Sequence, residues 1–144
     1  MYNTILVAVD LSKDSLKVLD KATASANPDS SNIHLVHVVE PVAAAYSMDI
    51  YAVNVNELQQ EAIAMSEKKL TEIAKRLSID NAQVHTLLGA PGPEIRNLAA
   101  EINADAIVIG SHGHSGWKIL LGSTAIKVLH GATCDVLTVY VGED

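Results

Sequence analysis

Apolar residues fall along the chain in short, nearly continuous runs, separated by longer stretches where they recur every three or four positions. Five runs stand out: TILVAV at 4–9, IHLVHVV at 33–39, VHTLL at 84–88, AIVIG at 106–110 and VLTVYV at 136–141. Their length and their β-branched residues predict strands, and their lack of polar alternation predicts strands covered on both faces. Strands of that kind belong to parallel sheets, whose helical crossovers lie on either side.

The stretches between the runs carry helix signals. Ser12 is placed to cap a helix to about Ala26, with Leu16, Leu19 and Ala22 on one side. Asn56 and Gln59 resemble a capping box for a long helix to about Leu77, striped by Leu58, Ala62, Leu70, Ile73 and Leu77. Pro93 at a first helical position opens a third helix, in which Ile95, Leu98, Ala99 and Ile102 share a face and which Asn103 ends. A fourth runs from Ser123 to about His130 and stops at Gly131. Residues 40–55, EPVAAAYSMDIYAVNV, show no periodicity and read as a long lid-like loop.

Right-handed crossovers leave few arrangements for such a β-α alternation. The commonest starts in the middle of the sheet, builds outward and then reverses, which predicts an open Rossmann-like α/β domain over 1–144 with strand order 3-2-1-4-5. In that order the first and fourth strands are neighbours at the switch point, where ligands of open α/β sheets bind. The first strand runs into Asp10 and the fourth into Gly110.

Composition narrows the ligand rather than the fold. A net charge of −7 and a pI near 5.2 argue against nonspecific binding to nucleic acid or anionic membranes, so an anion has to be gripped locally. The chain has one cysteine, Cys134, read as a small buried side chain. No apolar run approaches the roughly 18 residues of a membrane span. A cytoplasmic protein is the expectation.

The local grip is expected in GSHGHSGWKILLGS at 110–123. Gly110 and Gly113 allow positive φ and close approach of backbone to a polyanion, and Gly122, Ser123 and Thr124 open a helix whose free N–H groups favour phosphate. The same residues also read as a turn followed by an N-cap. Asp10 suits ribose hydroxyls or Mg²⁺ beside phosphates, and equally a helix N-cap. His112 and His114 lack a third ligand at recognisable spacing, so no metal site is assigned to the protein alone. Trp117 reads as a cover for a ligand, a dock for a partner or plain packing; Lys118 as a phosphate partner or a solvated lysine. Residues 89–93, GAPGP, turn the third strand into its helix, while His34, His37, His85 and His130 read as edge or surface residues.

Other motifs fail on inspection. There is no GxxxxGK[ST] loop, no GxGxxG after the first strand and no GxSxG elbow. No nucleophile with a base and no paired carboxylates emerge, so catalysis is not expected.

Taken in order, ILVAVD, HVVEP, GAPG, IVIGSHG, LLGSTA and VLTVYV resemble the universal stress protein family over essentially the whole chain. The resemblance implies the same five-stranded fold, of the adenine nucleotide alpha hydrolase-like kind. Nucleotide-binding members carry GxxG, nine residues and G[ST]; here Gly110 and Gly113 match the first pair and Gly122 and Ser123 the second, with eight residues, 114–121, between. By the same resemblance Ala8, Val9 and Val38 line adenine, with the Val38 backbone reading the base. Asp10 stands near ribose or Mg²⁺, and Ile109, Gly110, Gly113, Gly122, Ser123 and Thr124 complete the contacts. The implied protein is a stress-response switch or sensor that binds ATP or AMP, with Mg²⁺, and forms a homodimer through strand 136–141. The alternative is a dimeric interaction module that needs no nucleotide.

Overall fold

The computed structural model of the chain describes residues 1–28, 32–41, 55–111 and 122–141. Its elements are β1 (Thr4–Ala8), α1 (Ser15–Ser25), β2 (Asn32–Val39), α2 (Val55–Arg76), β3 (Val84–Leu88), α3 (Pro91–Glu101), β4 (Ala106–Gly110), α4 (Ser123–Gly131) and β5 (Asp135–Val139). A 3₁₀ turn, Asn81–Gln83, precedes β3. The sheet is five-stranded, all pairs are parallel, and the order is β3-β2-β1-β4-β5.

The strands are apolar on both faces because both faces are covered. Ile5, Val7, Leu35 and Val108 point to one side and pack with Val18, Leu19 and Ala22 of α1 and Leu70 and Ala74 of α2. Leu6, Val36, Val38, Ile107 and Ile109 point to the other, against Ile95, Leu98 and Ala99 of α3 and Ala125 and Val128 of α4. Fully burying a side chain of this size contributes roughly 1.5–3 kcal/mol.

Two helix stripes differ from expectation, each for a geometric reason. At 22 residues, α2 spans about 33 Å, nearly twice the ~17 Å of a five-residue strand. Leu58 near its start and Leu77 just past its end are exposed, and the buried stripe is Ser66, Leu70 and Ala74. In α1 the buried positions are Ser15, Val18, Leu19 and Ala22, while Leu16 faces solvent.

Helix starts also move. α1 begins at Ser15 rather than after Ser12, α2 already includes Asn56, and α3 opens on Pro91, which places Pro93 at its third position. Asn103 does end α3, at φ 55°, with Ala104 N returning to Ala99 O at 2.9 Å. The last strand closes at Val139, although Val141 stays buried and its amide donates to Ser111 Oγ at 3.1 Å. Residues 42–54 of the expected lid lie outside the described residues.

Candidate functional site

Beyond the carboxyl ends of β1 and β4 lies a cleft of about 290 Å³, at the reversal of strand order. Ala8, Val9, Asp10, Val38, Ile109, Gly110, Gly122, Ser123 and Thr124 all line it. Gly113, together with His112, His114, Trp117 and Lys118, lies outside the described residues. Pro91 and Ile95 of α3, with Val36 and Val38, give the cleft an apolar wall; Asp10, Asp14, Ser15 and His37 give it a polar one.

The β1–α1 connection is organised by Asp10. Its Oδ1 accepts from Ser12 N at 2.9 Å, Ser12 Oγ at 2.7 Å and Ser15 Oγ at 3.2 Å. This is a side-chain turn, and the Ser12 hydroxyl that donates to Asp10 also accepts from Asp14 N at 3.2 Å, so Ser12 closes the turn ahead of α1 while the helix proper begins at Ser15. Leu11, between them, adopts φ 66° and packs its side chain on the core beneath. Asp10 Oδ2 has no hydrogen-bond partner among the described residues.

Gly110 and Gly122 act as anchors in a manner the sequence reading did not foresee. Among the described glycines only Gly89 has positive φ; Gly110 is ordinary strand, where an added Cβ would meet Val18 and Val141 at normal contact distances of 3.4 and 3.5 Å. What joins the two anchors is a hydrogen bond from Gly122 N to Ser111 O. Ser111 is itself fixed, its amide donating to Val139 O at 2.8 Å and its hydroxyl accepting from Val141 N. Ser111 and Gly122 are thus bonded to each other, and Ser111 is tied to Val139 of β5 and to Val141 just beyond it. The N-cap of α4 is Gly122, which has no side chain to cap with, and among the described residues no other side chain caps the helix; its amino end lines the cleft with Ser123 and Thr124.

Three histidines read as edge or surface residues prove to have specific partners. His37 lines the cleft, with Nδ1 2.7 Å from Val9 O. His34 Nδ1 and His85 Nε2 are 3.0 Å apart across β2 and β3. Their ring centroids are 5.3 Å apart with planes 18° from parallel, so the rings meet end to end in an N–H···N bond rather than face over face. Partial burial holds both imidazoles below the ordinary histidine range; the neighbouring ring lowers His34 further, and Glu101 partly opposes the shift of His85. Finding this pair needed the β2–β3 register, which places His85 opposite Val36 on the face that His34 shares. Among the described residues no group of three or more metal-ligating side chains occurs.

An open parallel sheet with helices on both faces and a partly apolar cleft at its switch point defines an α/β protein of the doubly wound class. The chain belongs to the universal stress protein family, whose model matches residues 1–140. It is 40% identical to universal stress protein A homolog 1 of Coxiella burnetii over 143 residues, 99% of each chain. Among solved structures it is similar to the hypothetical protein MJ0577, with a TM-score of 0.83, 27% identity and 100% and 99% of the two chains covered. Two further similar structures are a universal stress protein in complex with cAMP (TM-score 0.61, 27% identity, 96% and 97% covered) and one from Archaeoglobus fulgidus in complex with dAMP (TM-score 0.63, 27% identity, 95% and 97% covered).

Proposed function

We propose that the chain binds ATP or AMP in the switch-point cleft and works as a nucleotide-responsive switch or sensor in the cytoplasm. The observation that carries this reading is the convergence, in one cleft, of an apolar wall from α3 and β2 with the uncapped amino end of α4. The wall suits a base, and the helix end suits phosphate. The relatives in complex with cAMP and dAMP support it, since those two ligands share an adenine base and a phosphate. Asp10 Oδ2 is a hard oxygen donor on the polar wall and fits Mg²⁺ held chiefly by phosphate and water. The proposed role is binding, with turnover slow or absent.

The protein is further proposed to dimerise through β5, an edge strand followed by Tyr140, which is 67% exposed. The test is to denature the purified protein and identify what it releases. Adenine nucleotide in the supernatant is the expected result; no release, with no uptake on refilling, leaves the nucleotide-independent interaction module in its place.

A further inference from the structure

The β1–β2 ladder stops one bond earlier than its register allows. In a parallel pair a residue donates its N–H to one carbonyl of its neighbour and accepts, at its own C=O, the amide two residues further on. Val9 N donates to Val36 O at 2.8 Å, so regular pairing continues with Val38 N donating to Val9 O. That bond is not formed. Val9 O is occupied by His37 Nδ1 at 2.7 Å, and because a carbonyl only accepts, Nδ1 carries the proton.

The consequence falls on Val38. In β2 the carbonyl of Val39 faces β3, where it accepts Gly89 N at 3.0 Å, and the carbonyl of Val36 faces β1. Val38 shares the parity of Val36, so its N–H and C=O face the side on which β1 has ended at Ala8. Val38 and His37 both line the cleft there.

We infer that His37 is a positioning residue. By capping the Val9 carbonyl it keeps the ladder from closing and leaves the Val38 peptide edge to the ligand, which must present a hydrogen-bond acceptor to that amide, as a nucleotide base does. This rests on the nucleotide-binding reading above.

The experiment measures amide hydrogen exchange at Val38 in the ligand-free protein, and ATP affinity by calorimetry, in wild type, His37→Leu and His37→Asn. Leucine has no donor, so Val38 N is expected to pair with Val9 O: its exchange slows at least roughly tenfold and ATP binds roughly tenfold more weakly. The asparagine amide can replace Nδ1–H, so both readouts return to near wild type. A Val38 amide that in wild type exchanges as slowly as the ladder-bonded amides around it overturns the inference. So does a His37→Leu protein that binds ATP as wild type does. If wild type has the exposed Val38 amide yet binds no ATP, the nucleotide reading fails and takes this inference with it, an outcome distinct from the other two.

Discussion

The carboxylate of Asp10 divides its work between two oxygens: Oδ1 gathers the Ser12 amide and two hydroxyls, while Oδ2 makes no bond to the described residues. Asparagine keeps an oxygen acceptor and alanine does not. Asp10→Ala is therefore expected to lower unfolding free energy by about 1–2 kcal/mol in urea titration, with Asp10→Asn close to wild type. Equal stability of all three would show that the turn contributes nothing. The His34–His85 pair makes a prediction in pH. Both rings titrate below their ordinary value of 6.5 in the folded protein, so the unfolded chain binds more protons as pH falls past that value. The stability that the pair contributes is present above pH 6.5 and is lost as pH drops through the lowered folded values. Urea midpoints at neutral and mildly acid pH should show this loss, and His85→Gln should flatten it; an unchanged slope would remove the pair as its source. The histidine pairing was not readable from residue spacing, because it depends on β2 and β3 lying side by side and on their register.

At the scale of elements, the strands were legible to within about two residues because continuous apolar runs have one economical use in a parallel sheet. Helix beginnings were less so. Ser12 does accept an amide on its hydroxyl, that of Asp14, but the helix starts only at Ser15, and Pro91 rather than Pro93 holds the first position of α3, where its missing N–H leaves no bond unmade. The crossing of α3 over α4 is a feature that composition alone did not show. A Cβ on Gly92 would lie 2.6 Å from Lys127 Cβ, and Arg96 Nη1 donates to Lys127 O in the same contact. Gly92→Val should therefore push the helices apart and cost about 1–3 kcal/mol, read as a lower urea midpoint at unchanged slope. Because Pro91 and Ile95 bring α3 to the cleft, the same variant should also disturb its apolar wall.

Over the whole molecule, the order β3-β2-β1-β4-β5 followed from crossover handedness, and with it the place of the cleft. The candidate site was legible as far as its residues sit on strand ends and on the start of α4; the role of His37 was not, since it exists only where one strand outlasts its neighbour. The proposed dimer carries its own prediction. In β5 the amide of Asp135 and the carbonyl of Val139 pair towards β4, so by alternation Thr138 turns its N–H to the open edge. Thr138→Pro removes that outward donor and spares the β4 pairing. Sedimentation should show a dimer become a folded monomer; a dimer that persists would place the interface elsewhere. The central claim is most directly tested by calorimetric titration of the nucleotide-free protein with Mg-ATP, beside Gly122→Val. Gly122 sits at φ −62° and ψ 155°, which valine also adopts, so the variant should unfold at the wild-type midpoint. Wild type is expected to bind ATP saturably well below ~1 mM and Gly122→Val to lose that binding. No binding by wild type at millimolar ATP, or equal binding by both proteins, would contradict it.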